Sequence, residues 1–234
     1  MNEVREFGIP WLIRRDVVPE TTYKPENVTR YSQASPKAAD GSALFPTTRR
    51  ISLTSPNDSS ALIATRDVLG FGTYEVLLMG RLDWFDPEVV VACYTHVDTP
   101  AVRPAGHVEA DFEAAAWGDQ NRRDRIMLGI YQDAKKPMLA DGKPRYPDSL
   151  CGAPSFRYHK VTITQTPSMV RVVAAGWWDL NQQWKEYAWG EWAVMSPVMG
   201  RFKVSCWRKR PYLYPASGSG PSKIVVAGFK FTPG

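Results

Sequence analysis

The chain of 234 residues is short of histidine and cysteine, with three of each. Cys93, Cys151 and Cys206 lie too far apart for a zinc-binding spacing, and their odd number closes no disulfide framework. They read as small buried residues with inert thiols. Long apolar runs are missing too. No stretch reaches the ~20 residues that a membrane-spanning helix needs, so no membrane partner is expected. Residues 1–15 lack the apolar core of a secretory leader. Two expectations for location remain open: outside the cell after removal of an export signal, or the cytoplasm.

Uninterrupted helical pattern is also scarce. Pro10, Pro19, Pro25, Pro36 and Pro46 cut the first fifty residues into pieces too short for a helix. Residues 1–50 therefore read as a partly irregular N-terminal segment with one strand candidate at 7–13, and residues 31–42 as a surface loop. With no internal repeat and no second boundary, the expectation is a single domain over 1–234. The net charge of +5 comes partly from short clusters, Arg49-Arg50, Arg122-Arg123 and Arg208-Lys209-Arg210. No nucleic-acid motif accompanies them, so they read as solvated basic surface and no nucleic-acid partner is expected.

What the chain has in quantity is turn residues and aromatic rings. Nineteen Pro and seventeen Gly separate short apolar stretches, which argues for many strands and turns. Extended runs are expected at 70–79, 89–97, 125–131, 201–208 and 223–231, and a hairpin around Pro167-Ser168 joins 158–164 to 169–174. Residues 137–154 read as a long loop. The spacing predicts an all-β, two-sheet antiparallel β-sandwich. Nine Trp, ten Tyr and nine Phe, many in polar contexts, favour an aromatic-lined groove. The densest aromatic stretch is 176–192.

Within this frame stands Glu109-Ala110-Asp111-Phe112-Glu113. As a strand it puts three carboxylates on one face and Ala110 and Phe112 on the other. Local propensity alone leans to a helix over 107–117 stopped by Gly118; the strands on both sides favour the extended reading. Two carboxyls flanking a glycosidic bond can cleave it, one attacking the anomeric carbon while the other protonates the leaving oxygen. Crowding the three raises the pKa of at least one.

In order and spacing, the blocks GFGTYEV at 70–76, VVACYTH at 90–96, EADFE at 109–113, RIMLGIY at 125–131 and VSCW at 204–207 resemble glycoside hydrolase family 16. The branch they most resemble is the lichenases, whose signature is E-I-D-I-E. The resemblance covers roughly residues 50–234. It implies a concanavalin A-like jelly roll, with Glu109 as nucleophile, Glu113 as general acid/base and Asp111 as the helper that holds the nucleophile. By position it makes Tyr94, Tyr131, Trp207 and Arg66 cleft residues. His107 stands where lichenases have Trp, His96 where they have Tyr, and Gly129 and Ser205 where they have cleft asparagines; both histidines are candidate substrate-binding groups. The implied activity is a retaining endo-glycosidase or transglycosylase on a β-linked polysaccharide such as a β-glucan. The alternatives are a repurposed enzyme and a non-catalytic carbohydrate-binding protein on the same fold. No catalytic metal or other cofactor is implied. A structural calcium away from the cleft is possible, and a monomer is expected.

Overall fold

The computed structural model describes residues 2–18, 21–56, 59–97, 108–119, 125–132, 136–138, 155–194, 199–208 and 222–234, with backbone alone for 16–18, 108, 131, 132 and 136–138. Its elements are strands and two single 3₁₀ turns. Two antiparallel sheets stack face to face. One has eight strands, in the order β1 (Asn2–Glu6), β2 (Ile9–Ile13), β7 (Ala61–Thr65), β16 (Arg201–Arg208), β9 (Val89–His96), β10 (Val108–Ala115), β11 (Ile126–Gln132) and β12 (Lys136–Met138). The other has seven, in the order β15 (Gln183–Ala193), β14 (Met169–Trp178), β13 (Tyr158–Gln165), β8 (Gly72–Met79), β17 (Ser222–Pro233), β6 (Arg49–Ser55) and β5 (Val28–Ser32). A short ribbon of β3 (Asp16–Val18) and β4 (Thr21–Tyr23) completes the set. Sequence-distant neighbours such as β7 beside β16 and β17 beside β8 give the crossovers of a jelly-roll sandwich.

The core forms because alternate residues on both sheets turn inward. From β10 these are Ala110, Phe112 and Ala114, at 0, 0 and 3% exposure. They meet Val91 and Cys93 of β9 and Val204 and Cys206 of β16, and they join one core with Tyr74, Val76 and Leu78 of β8 and Val161 and Ile163 of β13. Small alanines on either side of Phe112 leave the ring the space it fills.

Two expectations need correcting or sharpening. The N-terminal segment holds five strands, β1 to β5, rather than one. Its prolines break helices but spare short strands: Pro10 contributes its carbonyl to the Arg66 amide, and Pro25 opens a 3₁₀ turn, where a missing N–H costs nothing. The stretch around 109–113 is extended, so the helical alternative falls. Gly118, the apparent helix stop, has φ 85° and follows Trp117 at φ 54°; together they turn the chain after β10, and the Gly118 amide donates to the Pro87 carbonyl at 2.8 Å. The expected loop at 137–154 lies largely outside the described residues.

Candidate active site

Strand β10 runs between β9 and β11, so Asp111 and Glu113 each have a neighbour on either side. Asp111 is paired with Tyr94 on β9 and Gly129 on β11; Glu113 is paired with Ala92 and Met127; Glu109 is paired with Tyr131 on β11. One strand further, β16 sets Lys203 against Tyr94, Ser205 against Ala92 and Trp207 against Val90. The outward face is thus a grid of rows crossing four strands. Above it opens a cleft of about 290 Å³ lined by Arg14, Tyr23, Ala92, Tyr94, Glu109, Asp111, Glu113 and Trp207. Ala92 and Ser205, both small, leave the space beside Glu113 that a bulkier pair would fill.

The carboxylates are not equivalent. Glu113 is pushed up to about 7, first by burial and second by the charge of Glu109. Its Oε2 is buried without a hydrogen-bond partner among the described residues, an arrangement that favours the neutral acid. Asp111 is 3% exposed between its two companions. Glu109 lies with one oxygen, Oε2, 3.8 Å from His96 Nε2. The Tyr94 hydroxyl is held well above its ordinary pKa by burial and the nearby Tyr23, so it stays protonated and able to donate.

Aromatic rings form the walls. Trp207 packs edge-on against Trp117, with centroids 6.2 Å apart, and both join a cluster with Val90, Ala92, Ala115 and Tyr94. On the other side Arg14 lies over the Tyr23 ring at 4.9 Å. That wall is anchored from below: the Arg14 amide donates to the Leu62 carbonyl, the Lys24 and Ser60 amides exchange bonds with the Ser60 and Thr22 carbonyls, and Thr21 Oγ1 meets Ser60 Oγ at 2.6 Å.

The structure brings Glu109, Asp111, Glu113, Tyr94 and Trp207 to one cleft and sets His96 beside Glu109. Tyr131 is beside Glu109 in the strand register. His107 lies outside the described residues. Arg66 does not line the cleft: its guanidinium binds Asp67 at 3.0 Å and lies 3.7 Å from Glu3, and the side chain is 43% exposed. The sequence reading missed Arg14, Tyr23, Trp117 and Lys203. For Lys203 a signal existed, because period two from Trp207 puts residues 205 and 203 on the same face. Among the described residues no group of three or more His, Cys, Asp or Glu side chains is arranged to hold a metal.

No family model matches the chain, and no curated protein matches it. Solved structures do. An endo-1,3-beta-glucanase (laminarinase) catalytic domain from Thermotoga petrophila aligns over 98% of this chain and 93% of its own, at TM-score 0.62 and 10% identity. A glycoside hydrolase family 16 endo-glucanase from Bacteroides ovatus aligns over 95% and 94%, at TM-score 0.61 and 9% identity. The Crh5 transglycosylase aligns over 88% and 84%, at TM-score 0.51 and 13% identity. The chain has the fold of these glycoside hydrolases. The fold implied by the family 16 resemblance of five short sequence blocks is the fold these comparisons find. Within the glycoside hydrolase fold, β10 is the strand that delivers three carboxylates to one cleft.

Proposed function

We propose that the protein is a retaining endo-glycosidase or transglycosylase acting on a β-linked polysaccharide such as a β-glucan. The observation that carries this reading is the pairing of a buried Glu113, its pKa raised to about 7, with Glu109 on the same face of one strand. A retaining enzyme needs one carboxylate ionised to attack and one carboxyl protonated to donate, ~5 to 5.5 Å apart. Alternate positions on a strand put Cα109 and Cα113 roughly 13 Å apart, and long glutamate side chains leaning over Asp111 close that gap. The Coulomb effect of Glu109 on Glu113 agrees with such an approach.

In the first step a Glu109 oxygen bonds to the anomeric carbon as the glycosidic C–O bond breaks, and the Glu113 proton passes to the leaving oxygen. In the second, ionised Glu113 takes a proton from water or a sugar hydroxyl. The resulting oxygen nucleophile displaces Glu109 and restores both carboxyls. Asp111 holds the nucleophile between the two. Trp207 and Tyr94 offer ring faces to sugar C–H groups, and the solved neighbours, a laminarinase and an endo-glucanase, support a glucan.

The test is turnover of laminarin, mixed-linkage glucan, agarose and carrageenan by wild type and Glu109→Gln. The expected result is cleavage of at least one polymer, with retention at the anomeric centre, and loss of at least 10⁴-fold in Glu109→Gln. Hydrolysis of none of the four with binding retained favours a carbohydrate-binding protein, and full activity in Glu109→Gln overturns the nucleophile assignment.

A further inference from the structure

Beside the cleft the sheet buries a charge that two-carboxylate chemistry does not call for. Lys203 is 2% exposed, on a strand in the middle of the sheet and directly across from Tyr94. Its ammonium lies 3.2 Å from His96 Nδ1 and 5.8 Å from the Tyr94 ring centre. A lysine buried only for packing is costly, because an ammonium out of water has to be compensated by hydrogen bonds and opposite charge. Here the neighbouring strands supply both. His96 accepts at one ring nitrogen, and the β10 carboxylates lie beyond it.

The contact with Lys203, taken as an ammonium, selects one tautomer of the ring. An ammonium has three donors and no acceptor, so Nδ1 must offer its lone pair and the ring proton sits on Nε2. Nε2 is the atom that faces Glu109 Oε2 at 3.8 Å. Arg201, paired with His96 in the strand register, donates its Nε to the Arg66 carbonyl at 3.0 Å. The order across the sheet is ammonium, imidazole, carboxylate, with the Nε2 side of the ring facing Glu109.

We infer that Lys203 and His96 form a positioning relay for Glu109, in which Lys203 fixes the imidazole tautomer and His96 holds one carboxylate oxygen so that the other faces the anomeric carbon. The inference rests on the reading of Glu109 as nucleophile. The 3.8 Å gap is longer than a hydrogen bond and closes when substrate fills the cleft and displaces water, as catalytic contacts commonly tighten in the complex. Neither residue touches the reacting atoms. Both act through the orientation of Glu109.

Two measurements test the relay. The first needs no substrate: with only three histidines in the chain, long-range proton–nitrogen NMR of the imidazoles at neutral pH reads each tautomer. His96 is expected to carry its proton on Nε2 in wild type and to lose that fixed state in Lys203→Met, which keeps most of the side-chain volume. A proton on Nδ1 in wild type, or an unchanged spectrum in Lys203→Met, overturns the relay whether or not a glycan is turned over. The second uses the polymer that wild type cleaves. His96→Ala is expected to lower kcat about 10²-fold with KM changed less than about threefold, and Lys203→Met to lower it about tenfold. His96→Gln, whose amide N–H₂ reaches the Nε2 position, is expected to recover at least tenfold over His96→Ala. A His96→Gln no better than His96→Ala, or a loss confined to KM, assigns the pair to substrate binding or packing and overturns the relay.

Discussion

Glu113 makes the sharpest demand at the scale of one residue. In the proposed acid/base role its proton is the one passed to the leaving group, and burial beside Glu109 keeps that proton on up to about pH 7. Activity is therefore expected to fall as pH rises through about 7, and a kcat/KM profile across pH 5 to 9 checks it. The same burial has a stability cost of predictable sign. A carboxyl with a folded pKa above its unfolded value near 4.5 binds its proton more tightly in the native state, so native stability falls as pH rises from about 4.5 to about 7 and stays low above that. Glu113→Gln cannot ionise. It is expected to abolish polymer cleavage and to raise Tm relative to wild type at pH 8, by more than at pH 4.5. Thermal melts at the two pH values decide this, and equal shifts at both count against a strained ionised Glu113.

At the scale of the element, β10 is a strand whose two faces do different work. Phe112 fills the core between Ala110 and Ala114 while Glu109, Asp111 and Glu113 occupy the cleft. Phe112→Ala is expected to cost about 3 to 5 kcal/mol in denaturant unfolding, because the flanking alanines have no side chain with which to refill the space. Activity of the folded fraction should drop as the carboxylates lose their registration. The alternation E-x-D-x-E made this face legible from the sequence, although Gly118 and three alanines looked equally like the end of a helix. Neighbouring strands removed the ambiguity, since a helix has no place between β9 and β11 in a continuous ladder. Tyr94 and Trp207 were legible through the family resemblance, which places them in the cleft by position, and each sits on a strand of that sheet. Arg14 and Tyr23 were not. Their place depends on Thr21, Thr22 and Lys24 bonding Ser60 and on Arg14 bonding Leu62, long-range contacts that leave no periodic trace in a proline-cut segment. Arg66 was misplaced because the end of β7 turns its side chain to Glu3 and Asp67 at the rim of the sheet.

Across the whole molecule, two buried groups on opposite sheets make stability respond to pH in opposite directions. His159 is fully buried on β13, with Nδ1 3.1 Å from the Tyr187 hydroxyl of β15 and Nε2 3.1 Å from the Gly80 and Phe156 carbonyls. Burial pulls it down to about 4. A histidine with a depressed folded pKa contributes stability that is present above its unfolded value near 6.5 and is lost as pH falls through about 4, an effect on the order of 3 kcal/mol for so large a shift. Glu113 removes stability on the way up, between about 4.5 and 7, and His159 removes it on the way down over nearly the same interval. In wild type the two slopes oppose each other and flatten the profile. Substituting either one should expose the other: Glu113→Gln is expected to gain stability steadily from pH 4 to 6.5 and then level off, whereas His159→Gln, less stable throughout for want of its tyrosine and carbonyl bonds, is expected to lose stability from pH 4.5 to 7. Denaturant midpoints at half-unit pH steps distinguish these shapes. Parallel profiles for wild type and both variants would mean that neither buried group titrates between the native and unfolded states as its surroundings require.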